Sequence, residues 1–135
     1  MLVYAFYAEA PAHERYRDWL RLAVESPEPV AVSDLVLSAF VRVTTNPRVI
    51  TPPIPLPKAL AFANTLRTSP GVVIVGPGDR HWEIFEGLCL EASARGNLVT
   101  DAYLAALAIE SGAELITTDR DFARFPGLRW RHPLA

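Results

Sequence analysis

Residues 96–122 read GNLVTDAYLAALAIESGAELITTDRDF, and the order of residue types in this stretch decides the fold class. Apolar residues at helical spacing follow Asp101, Gly112 stops the helix, and a short apolar run through Leu115 and Ile116 predicts a strand. Asp119 and Asp121 come directly after that strand. In open parallel sheets, sites lie beyond the carboxyl ends of the strands, and a β-α-β connection starts its helix from that same edge. Asp101, placed at the start of the helix, and Asp119 and Asp121, placed just after the strand, are therefore expected to face one crevice.

Gathering carboxylates is unfavourable, because two unit charges ~4 Å apart repel by roughly 4 kcal/mol at an effective dielectric of ~20. Either their pKa values rise or a cation joins them. Magnesium and manganese are hard, oxygen-seeking ions that suit such a cluster while leaving positions open for water and phosphate oxygens. Phosphodiester hydrolysis is the chemistry such a site performs most naturally.

Outward from this stretch the chain keeps alternating. Before it, the spacing predicts a helix opening near Pro11 with Tyr16, Trp19, Leu20 and Val24 on one stripe, then a Val30–Val32 strand with Ser33 as a helix cap. A helix follows from Asp34 to Thr44 or Thr45. Asn46-Pro47 breaks it, and a proline-rich loop leads into a helix with Pro57 in its first turn. Val72 to Val75 has the pattern of a strand buried on both faces, and a helix from Asp79 to Arg95 is expected to carry Trp82, Phe85, Cys89 and Ala92 inward. After the central stretch, residues 128–131 predict a last short strand. The fold class is thus α/β, a three-layer α/β/α arrangement with a mainly parallel sheet.

The whole chain, 135 residues and half of them apolar, fits one compact domain spanning residues 1–135. A net charge of -2 announces no bulk affinity for nucleic acid, so any such contact must be local. The single cysteine, Cys89, excludes an internal disulfide, and the apolar opening residues 1–8 are too short to span a membrane and lack a basic leader. A cytoplasmic protein without a membrane partner is expected. Gly76-Pro77-Gly78 lacks the remaining residues of a phosphate-binding loop and reads as a turn.

With strand, cap, acid and helix in these places, the chain resembles a PIN domain, and more narrowly the VapC-type ribonuclease toxins of bacterial toxin–antitoxin pairs. The likeness is carried by residues 2–5 (LVYA), 42–48 (RVTTNPR), 97–102 (NLVTDA), 117–122 (TTDRDF) and 126–130 (PGLRW). It implies a Mg2+- or Mn2+-dependent endoribonuclease that cuts structured RNA such as tRNA or rRNA, is neutralised by a small VapB-type antitoxin, and forms a homodimer. By position, Asp101 and Asp119 match the third and fourth acids of the family quartet and the metal ligands, and Asp121 matches an acid often beside them. Asp34 is the choice for the second acid, because the position where many members carry glutamate is Ala39 here. The first strand of the family, ending in an aspartate, would precede residues 1–5. The resemblance therefore implies an amino-terminally shortened fold lacking its first central strand, and a poor nuclease.

Each acid also has an ordinary reading: Asp34 and Asp101 suit helix starts, and Asp119 and Asp121 suit turns. Taken together inside matching motifs they favour a site. Arg42 and Arg120 are the preferred phosphate contacts among the arginines, with Thr118 and Asn97 as further substrate-binding candidates. His13, His81 and His132 read as dispersed surface residues. The competing function is a catalytically impaired PIN domain that serves only to bind its antitoxin; a phosphatase-like regulator is a weaker third.

Overall fold

Val30–Val32 (β1) and Val72–Ile74 (β2) pair in parallel, with Val30 opposite Val72 and Val32 opposite Ile74. Parallel neighbours need a long crossover, and here it contains α3 (Asp34–Thr44) and α4 (Leu56–Arg67). The computed structural model describes residues 1–135, and these elements belong to the first of two compact units, residues 1–75; the second covers residues 76–133. No helix is long and apolar enough to cross a membrane.

In the first unit, α1 (Leu2–Phe6) and α2 (His13–Glu25) precede the sheet. The core joins Val32, Leu37, Phe40, Ala59, Ala63 and Leu66, with the rings of Phe6, Phe40 and Phe62 mutually in contact at centroid distances of 4.8 to 5.4 Å. Ser33 accepts the Leu35 N–H at 3.1 Å and caps α3 as the sequence predicts, an interaction worth ~1 kcal/mol. Gly71 sits against the backbone carbonyl of Val24, where any Cβ would collide. β2 departs from expectation in one respect. Val73 is 50% exposed, so the strand covers only one face although its composition suggests two.

The second unit holds α5 (His81–Glu91), α6 (Asn97–Ser111), β3 (Leu115–Ile116), a 3-10 turn over Arg120–Arg124, and β4 (Trp130–Arg131). β3 and β4 pair in parallel. Ala102, Ala105 and Ala106 of α6 are fully buried beside Leu88, Phe122 and Phe125; small side chains let α6 and its neighbours approach closely. Gly112 takes the left-handed conformation that ends α6, as the sequence predicts.

Three expectations are corrected here. α5 begins at His81 and ends at Glu91, short of Asp79 and Arg95 at both ends. The reason at its start is a carboxylate from α6: Glu110 accepts the backbone N–H groups of Gly78 at 2.7 Å and Arg80 at 2.9 Å, so residues 78–80 are satisfied as a turn. One residue of its expected stripe is turned outward: Trp82 is 65% exposed, while Phe85, Cys89 and Ala92 pack against the core with the buried Leu88. His81 is no surface residue; its ring Nε2 lies 3.0 Å from the Tyr103 carbonyl, against the Tyr103 and Phe85 rings.

Candidate functional site

The second unit places Asp101, Asp119 and Asp121 by different local means. Asp101 is not at the start of α6, which begins at Asn97, but in its second turn, next to the buried Ala102 that fixes the helix against the core. Asp119 ends the segment after β3 and caps the 3-10 turn, its Oδ1 accepting the Asp121 N–H at 2.8 Å. Thr117 supports this loop from the other side: its hydroxyl accepts the Asp119 N–H at 3.1 Å. The sequence reading singled out Thr118 and passed over Thr117, although a hydroxyl two residues before a turn aspartate is the local signal for such a bond.

The three carboxylates share one electrostatic neighbourhood. Burial pushes the Asp101 carboxyl above its usual range, and the charges of Asp119 and then Asp121 push it further. Asp101 has no ion-pair or hydrogen-bond partner of its own, whereas Asp121 has only Arg124 at 4.0 Å, both side chains well exposed. An ion pair at that distance and exposure contributes little.

These donors fit a hard divalent cation, with a limit. A half-buried carboxylate facing two like charges is relieved by a cation, and carboxylate oxygens are the ligands that magnesium and manganese prefer. The side chains do not converge as a closed cage: no three acidic, histidine or cysteine groups are close enough together to enclose an ion. Magnesium is commonly held by one or two carboxylates with water completing its shell, and Asp101 with Asp119 would be the pair to do so.

Of the other candidates, Arg120 and Asn97 are exposed in this unit, Arg120 opening the 3-10 turn and Asn97 opening α6, while Thr118 is half-buried. Arg42 is exposed in the last turn of α3, and Asp34 is the first residue of α3, both in the first unit. Asp34 is already engaged. Arg67, at the end of α4, donates from Nε to Oδ1 at 2.8 Å and from Nη2 to Oδ2 at 3.1 Å, and this hydrogen-bonded guanidinium holds the Asp34 carboxyl below its usual range. Sequence reasoning missed Arg67. Nothing links positions 34 and 67 locally, and the pairing becomes visible only once the crossover brings the helix ends together.

The first unit also carries a shallow cleft of about 220 Å³ between α1, α2 and α4, floored by Ala5, Leu20, Val24, Phe62 and Leu66. Arg17 and Arg21 stand on one side of it and Thr65 and Ser69 on the other.

Comparison with known proteins bears on both units. The profile of the PIN domain family matches residues 1–128. VapC ribonuclease Mb2897 of Mycobacterium bovis is 42% identical over 134 residues, covering 99% of this chain and 91% of that protein; ribonuclease VapC25 of Mycobacterium tuberculosis is 36% identical over 133 residues, covering 98% and 94%. Two solved structures share the fold at low identity. One is VapBC2 from Rickettsia felis bound to a promoter DNA fragment, with a TM-score of 0.71, 20% identity and coverage of 96% of this chain and 91% of that one. The other is VapBC-1 from nontypeable Haemophilus influenzae, with a TM-score of 0.72, 13% identity and coverage of 99% and 93%. The α/β class read from the alternation is that of these structures, and the chain belongs to the PIN domain family, within its VapC group.

Proposed function

We propose that this protein is the toxin of a toxin–antitoxin pair, an endoribonuclease that cuts structured RNA such as tRNA or rRNA with a Mg2+ or Mn2+ ion at Asp101 and Asp119. The observation that carries this reading is the Asp101 carboxyl, half-buried, without a cation partner, and facing the charges of Asp119 and Asp121. A bound divalent ion supplies Lewis acidity and a water of lowered pKa for phosphodiester hydrolysis. Asp101 and Asp119 hold the ion. Asp121 adds negative charge that strengthens cation binding, and the Thr117 and Asp119 turn fixes where these oxygens lie. Arg120 and Arg42 meet RNA phosphates, and Asn97 and Thr118 contact the substrate strand.

The relatives are named as ribonucleases and the solved neighbours are toxin–antitoxin complexes. Both support an antitoxin partner for this chain. The cleft between α1, α2 and α4 suits it: an apolar floor with Arg17 and Arg21 alongside fits an apolar segment flanked by acids. A homodimer and a cytoplasmic location complete the proposal.

Incubation of the purified chain with folded tRNA and rRNA tests it. Cleavage that requires Mg2+ or Mn2+, stops with EDTA and stops again on adding the antitoxin is the expected result; cleavage indifferent to EDTA contradicts it. A second reading has its own observation. Asp34 is occupied by Arg67, and Ala39 stands where the resemblance places a glutamate, so a form with intact antitoxin binding and no metal-dependent cleavage would be a binding protein only.

A further inference from the structure

The acids at two places in the chain are met in opposite ways. At Asp101 three carboxylates lie near one another and no cation of the chain pairs with Asp101 or Asp119. At Asp34 a cation is built in: the guanidinium of Arg67 engages both oxygens side-on, at 2.8 and 3.1 Å, tying the first residue of α3 to the last residue of α4.

Paired N–H donors on a carboxylate give the strongest geometry available to an ion pair, and a guanidinium does not lose its proton in a protein. A divalent ion approaching Asp34 must displace two charge-assisted hydrogen bonds and leave Arg67 beside it as a repelling charge. An ion approaching Asp101 displaces no partner and relieves repulsion. The position matters as well, because Asp34 follows the carboxyl end of β1, the edge where sites in parallel sheets are found. An acid there is open to recruitment as a ligand, and Arg67 is what removes it from that role.

We infer that Arg67 is the resident counter-ion of Asp34, so that a divalent ion at Asp101 and Asp119 is held without Asp34, and Asp34 is a positioning residue that fixes the α3–α4 junction. The inference rests on the metal-dependent reading above and adds which acid the ion does not use.

Calorimetric titration of Mn2+ into the full chain, paired with thermal unfolding in EDTA, decides it. The variants are Asp34→Asn, Arg67→Asp, the exchanged pair Asp34→Arg with Arg67→Asp, and Asp101→Asn. Mn2+ binding is expected for the unaltered chain, with affinity kept within about twofold in Asp34→Asn, as for an exposed charge that does not touch the ion. In Asp101→Asn it falls by about tenfold or more. The exchanged pair regains unfolding temperature lost in Arg67→Asp and keeps Mn2+ affinity, and affinity kept with arginine at position 34 is what a ligand role for Asp34 forbids. Loss of Mn2+ binding in Asp34→Asn comparable to that in Asp101→Asn overturns the inference while leaving metal dependence intact. Absence of any thermal coupling between positions 34 and 67 overturns it as well. A chain that binds no Mn2+ at all sinks the metal-dependent reading and the inference with it.

Discussion

The Asp119 carboxylate accepts the backbone N–H of Asp121 at 2.8 Å, so one proposed metal ligand is also the cap of the 3-10 turn that follows it. Two roles in one side chain are separable by substitution. Asn keeps an oxygen that can accept the Asp121 N–H but loses the charge; Ala loses both. Asp119→Asn is expected to hold its stability while metal-dependent cleavage drops by about two orders of magnitude. Asp119→Ala is expected to lose a further ~1 kcal/mol of stability, the usual worth of such a cap. Chemical denaturation and cleavage rates on both variants check this, and equal stability of the two contradicts the capping role.

One part of the pH dependence of the metal-free protein comes from Asp101. Its carboxyl is raised by burial, then by Asp119, then by Asp121, so the folded chain binds that proton more tightly than the unfolded chain does. Stability from this group therefore rises as pH falls through the raised pKa, and ionisation above it subtracts. Asp121→Asn removes one repelling charge, and the Asp101 midpoint moves down toward the ordinary carboxylate value. Carboxyl NMR in EDTA reads the midpoint directly; a midpoint unmoved or raised contradicts the shared neighbourhood.

Glu110 has the reverse sign. The Gly78 N–H first, and the Arg80 N–H with it, hold its carboxyl below the usual range against some desolvation. Its contribution is present above the ordinary glutamate pKa and is lost as pH falls through the lowered folded value. Protection of the Gly78 and Arg80 amides against hydrogen exchange, taken relative to the intrinsic rate at each pH, is expected to fall on acidification, and in Glu110→Ala to be lost at every pH. Protection of those amides that survives Glu110→Ala contradicts the contact.

Core energetics separate Phe40 from Trp82. Phe40 is buried between the Phe6 and Phe62 rings, and Phe40→Ala is expected to cost about 3–5 kcal/mol. Trp82 is largely exposed, so Trp82→Ala is expected to stay within about 0.5 kcal/mol. Denaturant midpoints on the two variants test the ranking, and a Trp82 cost matching that of Phe40 contradicts the exposure.

Elements whose signals are local were legible in the sequence. Ser33 as a cap, Gly112 as a stop, Pro57 in a first helical turn and the apolar runs at Val30 and Val72 each act within a few residues, and the structure follows them. What failed were inferences about partners distant in sequence. Trp82 has helical core spacing together with Phe85, Cys89 and Ala92, but only those three pack against the core while Trp82 is turned outward, and the contact between Glu110 and residues 78–80 shifts the start of the helix. The pairing of Asp34 with Arg67 spans α3, α4 and the loop between them, so periodicity had no access to it. For the candidate site, the motifs picked out the acids, while the hydroxyl of Thr117 and the absence of a cation partner at Asp101 needed coordinates.

The most direct measurement is the rate of cleavage of a folded tRNA or rRNA substrate at saturating Mn2+ by the unaltered chain and by Asp101→Asn, with thermal unfolding of both recorded in EDTA. A fall of about two orders of magnitude or more, with an unfolding temperature equal to or above that of the unaltered chain because a half-buried repelling charge is gone, is the predicted result. Equal rates from the two proteins would contradict a site built on Asp101.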